Sequence, residues 1–482
     1  MQLDTRRSLR PFLSSRFPRL ARSLGGATLA ITLATAASAQ LSRSLPESLT
    51  DREFWNFFTT MSEDGGTFPS ENFVSNEQTY QYVIPTLQRT LTPNGVYLGV
   101  GPEQNFTYIA NLKPRMAVIF DIRRQNAMAH LMYKALFEMS PTRADFVARL
   151  FSRPLPASLG TNATATELFN AALDAKMSDS AFDANRDAIF KLLVVKHGFA
   201  LTTTDSQSIK HVYASFFEAG PDINYAYRFG SSGMVRPMYS TYAQIQTLTN
   251  LEGVNMAFLG SEANYQYLRG MHGKNLVVPV VGDFAGPKAI RGVGDYLKQR
   301  HANVMAFYLS NVEQYLFRGP GDSDRFYANV STLPIDSTST FIRSVPPSNG
   351  LGGIVSIFSG GLPFGVTTVP NNYYSVQVVR DSTGKSIIQI TSDSAGKLVT
   401  TQTVDSSGAR RSPLDIFKSL RARDDSIARA RTSPIMRVGG VMNAGTLISG
   451  IASIRETLDA YVKGQLANYN QAIAMTKVDG WK

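Results

Sequence analysis

The chain is 482 residues long, 43% hydrophobic and free of cysteine. That length allows a large buried core over about two to three domains, and the lack of cysteine excludes thiol nucleophiles, disulfides and Cys-type zinc sites. The formal charge is +11, yet the first 39 residues hold six arginines and one aspartate, leaving 42 basic against 36 acidic residues in the body; with no long Lys/Arg run, nothing marks a nucleic-acid footprint.

Residues 1–39 read as an export signal. An arginine-rich start, "RRSLRPFLSSRFPRLAR", leads into the uncharged "SLGGATLAITLATAASAQ", and Ala37-Ser38-Ala39 supplies the small-x-small pattern of a cleavage site before Gln40. Arg6-Arg7 resembles a twin-arginine signal, which implies export in the folded state to a compartment such as the periplasm, one that suits a cysteine-free chain. An uncleaved membrane anchor over the 20 uncharged residues Ser23 to Ser42 and an organelle transit peptide are the alternatives. Once the signal is cleaved, no permanent span is expected.

Next, "SLTDREFWNFFTTMSE" has apolar residues at helical spacing with Thr50 or Asp51 as cap, and "SNEQTYQYVIPTLQRTL" reads as a second helix bent at Pro85. The period then changes. "GVYLGVG" and "RMAVIFDI" read as buried strands, each followed by a helix, "PEQNFTYIANL" and "RRQNAMAHLMYKALFEM". Strand, helix, strand, helix implies parallel strands joined by crossovers, and so a doubly wound α/β sheet. From about 140 to 250 the pattern is helical, an insertion expected to cover the ligand edge of the sheet. "NLVVPVVGDFAG", the helix "PKAIRGVGDYLKQR" and "NVMAFYLSN" resume the alternation, and a strand pair around "RFYANVSTL" and "STSTFIRSV" is expected to close the sheet.

The α/β domain is therefore expected over 40–345. A Gly/Pro/Ser-rich linker fills 346–372. A C-terminal module over 373–482 opens with the turns "DSTGK", "DSAGK" and "DSSGA", which recur every 12 residues between alternating runs, a β-meander. Two helices are expected to end the chain, one opened by Ser412-Pro413 and one from about Asn443 to Ala474.

The chemistry concentrates at the first strand's tip. In "VYLGVGPEQN", Gly99 and Gly101 allow a sharp turn and a close ligand approach, and the following helix aims free N–H groups at that ligand. Asp121 ends the next strand 22 residues after Gly99, where an acid accepts from both hydroxyls of a ribose. Gln104 stands where a dinucleotide fingerprint would have its third glycine, and Glu103 repels a pyrophosphate and favours a cation. The arrangement resembles class I S-adenosylmethionine-dependent methyltransferases over roughly residues 70 to 345. That resemblance implies S-adenosylmethionine as cofactor, its methionine part near Gly99, Gly101 and Glu103, its ribose on Asp121 and its adenine near Asp283 and Phe284. It also implies a substrate-facing motif at the fourth strand's end, "FYLSNVEQY", with Ser310, Asn311, Glu313 and Tyr315 near the chemistry. Methyl transfer needs alignment of the acceptor and, for a protonated acceptor, a base such as Glu313 or Asp283, with Asn311 orienting the acceptor atom.

Other constellations point to less. No two of the five histidines lie three or four residues apart, so no metal site forms on one helix, and no G-x-S-x-G elbow occurs. "GSSGMVRPMYSTY" offers Arg236 and backbone donors for an anion. The reading is a methyltransferase-like enzyme acting on a small molecule; the alternative is an exported, catalytically inactive protein binding a nucleoside or other small ligand on the same fold. The alternative arises because S-adenosylmethionine is made and held in the cytoplasm.

Overall fold

In the computed structural model, residues 44–227, 239–346 and 447–478 are described, together with three strands at 375–380, 386–392 and 397–403. The expected export signal, Arg236 and the helix expected from Ser412-Pro413 lie outside them. The chain divides into two units: the first takes residues 1–228, 235–345 and 442–482, the second 229–234 and 346–441.

The first unit opens with α1 (Asp51–Met61), capped by Thr50 in a capping box with Glu53. The second expected helix is reduced to α2 (Ile84–Thr90), because Pro85 fits a helix's first turn and starts this one rather than bending it. The residues before it, Ser62 to Val83, contain no regular helix or strand. Then come β1 (Val96–Val100), α3 (Gln104–Leu112), β2 (Met116–Asp121) and α4 (Arg124–Met139).

The insertion follows as α5 (Arg143–Phe151), α6 (Ala165–Asp174), α7 (Asp179–Phe190), a π-helical turn (Lys191–Lys196), α8 (Thr203–Ala219), α9 (Tyr242–Thr247) and α10 (Glu262–Gly273). The sheet resumes with β3 (Val277–Val281), α11 (Ala289–Gln299), β4 (Val304–Ser310), α12 (Val312–Leu316), α13 (Asp322–Val330) and β5 (Ile335–Val345). The expected strand "RFYANVSTL" is instead α13: Asp322 and Asp324 sit in its first turn, and Phe326, Tyr327 and Val330 form a buried helical face.

The second unit holds β6 (Ser375–Arg380), β7 (Ser386–Ser392) and β8 (Lys397–Thr403), an antiparallel three-stranded meander. The chain then returns to the first unit. Where one long helix was expected from Asn443, the structure has β9 (Ile448–Ser453), α14 (Ile454–Val462) and α15 (Tyr469–Ala474). The C-terminal residues thus divide between the two units.

The main sheet runs β3-β2-β1-β4-β5-β9, parallel except for β9, which pairs antiparallel with β5. Strands 1 to 3 progress one way from the middle and strands 4 and 5 the other, so the order reverses between β1 and β4. Ligands of open α/β sheets bind outside the carboxyl ends at such a reversal. The core is continuous through the sheet: all residues of β2 and β3 are buried, as both-face coverage of parallel strands requires.

Candidate functional site

The register sets the strand tips side by side. Gly99 lies opposite Ile119 and Val100 opposite Phe120, while Asp121 pairs with Val281. Gly101, at φ 78°, turns the chain out of β1 and donates its N–H to Phe120 O at 3.1 Å. Gly99, Gly101, Asp121 and Asp283 therefore share the carboxyl edge of the sheet, as the sequence reading expects.

Their partners are the chain's own side chains. The Asn105 amide fills the inside of the glycine turn, donating to Val100 O at 2.9 Å and Pro102 O at 2.7 Å and accepting from Tyr97 OH at 2.9 Å. A Cβ on Gly99 would overlap Asn105 Oδ1, so this glycine makes room for Asn105. The Gly101 carbonyl accepts from Asn126 Nδ2 at 3.0 Å and His130 Nε2 at 2.9 Å. Burial holds the His130 ring well below its ordinary pKa, at about 4, so the neutral tautomer donating from Nε2 fits this bond.

Asp121 is engaged on both oxygens. Arg123 donates to Oδ1 from its backbone N at 2.8 Å and Nε at 2.9 Å, and to Oδ2 from Nη2 at 2.7 Å. Both side chains are only 8% exposed, so this is a buried fork-to-fork ion pair. Arg123 also donates to the carbonyls of Ser70, at 3.2 Å, and Glu71. Glu103 is fully buried; Oε1 accepts a long 3.4 Å bond from Ser75 N and Oε2 meets no donor among the described residues. Burial raises its pKa to about 8, so at neutral pH it is mostly protonated and supplies little countercharge for a cation.

At the β3 tip, Phe284 joins the core, its ring near those of Phe307 and Phe326, 5.7 and 5.9 Å between centroids. Asp283 Oδ1 accepts from Ala285 N at 2.9 Å, a local turn. The start of α11 is occupied by the Glu63 carboxylate, which accepts from the backbone N–H of Asp283 (3.0 Å), Lys288 (2.9 Å) and Ala289 (2.8 Å).

The motif after β4 does not converge. Glu313 turns into the core, where Arg343 donates Nε to Oε2 at 2.6 Å and Nη2 to Oε1 at 2.8 Å, and Tyr327 OH donates at 2.6 Å. Asn311 donates to Gln314 Oε1 at 3.2 Å. Tyr315 is 40% exposed, edge-on to Phe68 at 5.4 Å. Ser310, at φ 50°, donates to Glu77 Oε1 at 2.5 Å beside Tyr308 OH at 2.7 Å, and Gln104 Nε2 donates to Glu77 Oε2 at 2.8 Å.

One stretch thus accounts for much of the edge. From Ser62 to Gln81 the chain crosses the carboxyl ends of β3, β2, β1 and β4 in turn, placing Glu63, Gly66 (N–H to Ile122 O, 2.7 Å), Ser75 and Glu77. Its other side bonds to the helical insertion, through Gln78 to Ser240 at 2.9 Å and Tyr80 OH to Ile245 O at 3.0 Å. In this arrangement the residues present do not fit S-adenosylmethionine: the ribose acceptor is satisfied, the turn is filled and Glu103 is mostly neutral. Arg123, two residues from Asp121, was legible as a rival partner; Glu63 and Glu77 carry no local signal, since neither lies in a regular element.

Among the described residues no group of three or more His, Asp or Glu is placed to hold a metal ion, and no helix is long and apolar enough to cross a membrane. A family profile described as "Domain of unknown function (DUF7790)" matches residues 72–389, more than half of the chain, and the chain belongs to that family. A search of curated proteins finds no match.

Proposed function

We propose that this protein is a catalytically inactive small-ligand-binding protein on an α/β fold resembling that of class I S-adenosylmethionine-dependent methyltransferases, with the strap Ser62–Gln81 closing the nucleoside crevice. The observation that carries the proposal is that strap, whose Glu63 and Glu77 carboxylates sit at the β3 and β4 ends of the crevice. The residues available for chemistry agree with it: Asp121 and Glu313 are each held bidentate by an arginine, and a carboxylate so paired is a poor general base. The export pattern of residues 1–39 argues the same way, because an exported chain lacks a supply of the cofactor.

The transferase reading keeps one specific support, the strand order that reverses between β1 and β4 and brings Gly99, Gly101, Asp121 and Asp283 to one edge. Calorimetric titration of the full chain with S-adenosylmethionine and S-adenosylhomocysteine separates the two. Absence of binding up to about millimolar concentration, weaker than about −4 kcal/mol, is expected for both. Micromolar binding that Asp121→Ala weakens would restore the transferase. N-terminal sequencing of the protein from a periplasmic extract checks the cut before Gln40.

A further inference from the structure

At the opposite end of the sheet, a cavity of about 470 Å³ opens at the amino ends of the strands. Gly95 precedes β1, Arg115 precedes β2, Asn303 precedes β4 and Asp336 lies at the start of β5; all four line it, with Arg300 and His301 from the turn after α11. The volume falls within the range of small-molecule sites.

Its charged lining is two arginines against one aspartate, a net positive balance. Arg115 donates Nη2 to Leu45 O at 2.6 Å, and Arg300 donates Nη1 to Tyr296 O at 3.3 Å while stacking on the Tyr296 ring at 3.6 Å. Both bonds end on neutral carbonyls, which leave the guanidinium charges in place, and Arg300 also feels the attraction of the Glu53 carboxylate. The acid in the lining, Asp336, faces its own turn: its Oδ1 accepts from Thr338 N and Thr338 Oγ1, both at 2.7 Å. Pro93, Met305 and Leu45 add apolar wall beside the two cations. Two forked, always-charged donors next to apolar surface form an arrangement that recognises an oxyanion attached to a carbon body.

We propose that this cavity binds a small organic oxyanion, a phosphate monoester or a carboxylate, held by Arg115 and Arg300 with His301 beside them. The site is separate from the strapped edge and stands or falls independently of the crevice.

The test is titration calorimetry of the full chain with phenyl phosphate and with benzoate, and with benzyl alcohol as the uncharged control. Binding of at least one anion with a Kd near or below about 1 mM is expected, with no heat from the alcohol. Preference for the phosphate would identify a phosphorylated ligand, and preference for benzoate a carboxylate. Arg300→Gln and Arg115→Gln are each expected to weaken binding about tenfold, the loss of one charge-assisted bond. Arg115 also holds the Leu45 carbonyl, so the Arg300→Gln variant, melting like the parent, carries the test should Arg115→Gln not fold. Silence with both anions up to about ten times that Kd, equal heats from the alcohol, or unchanged affinity in Arg300→Gln would overturn the proposal.

Discussion

Gly99 illustrates how one residue type serves two purposes that its sequence position does not distinguish. A glycine at a strand tip permits close approach of a ligand, and equally of a neighbouring side chain; here the neighbour is Asn105, itself bonded to three carbonyls of the turn. Gly99→Ala is therefore expected to cost about 1–3 kcal/mol, as overpacking does, read as a lower denaturant midpoint with an unchanged slope. An unaltered midpoint would mean that Asn105 yields freely and that the glycine is kept for something else. Glu103 makes a second prediction at this scale. Its folded pKa, about 8, lies above its ordinary 4.5, so between those values the folded state holds a proton that the unfolded state has lost. Stability accordingly falls as pH rises from about 4.5 to about 8 and levels off above, each pH unit of that window being worth about 1.4 kcal/mol at most. Glu103→Gln should flatten this slope in denaturation curves collected across the window; an identical slope in parent and variant would refute the buried-acid account.

Among the elements, β5 and the short helices α12 and α15 are tied through one buried arginine and its ion pair. Arg343, 1% exposed in β5, holds Glu313 of α12 and donates to Ala472 O of α15 at 3.2 Å. Breaking such a pair strands its partner, so Glu313→Gln should destabilise by about 3–5 kcal/mol. Replacing both members with apolar residues, Glu313→Leu with Arg343→Met, should recover much of that loss, because the cost lies in the uncompensated charge. A double variant no better than the single one would show that the pair does more than satisfy itself. The first four parallel strands were legible, since continuous apolar runs between glycines, prolines and helices have few other readings, and "STSTFIRSV" was read correctly as β5. The errors lie where propensity and pairing disagree. "RFYANV" is rich in aromatic residues yet forms α13, and Ile448–Ser453 is a strand because β5, more than a hundred residues earlier, supplies its partner. Arg343, the partner that takes Glu313 out of contention as a base, lies 30 residues away in the chain, a pairing no local pattern exposes.

Across the whole first unit, the carboxyl edge of the sheet is finished by the strap, whose second half is fixed by Phe73, Val74 and Tyr80 in the core and by polar anchors such as Glu77. Residues 63 to 72 are half-buried or exposed throughout, whereas Glu77 is 1% exposed and accepts from Tyr308, Ser310 and Gln104. The first half of the strap, residues 63 to 72, has no buried apolar side chain and so belongs to the low-stability end of a fold, where local opening precedes global unfolding. Glu77→Ala removes the acceptor of three donors, of which those of Tyr308 and Gln104 are buried and costly to leave unsatisfied. The expected result is local: by hydrogen-exchange mass spectrometry, peptides covering residues 62–83 should exchange at least about tenfold faster, equivalent to about 1.4 kcal/mol of opening free energy. Peptides of β3, and of β5 with β9, should keep their parental rates. Uniform acceleration over the sheet would show that the strap and the core open as one unit, and unchanged exchange at 62–83 would show that Glu77 does not hold it.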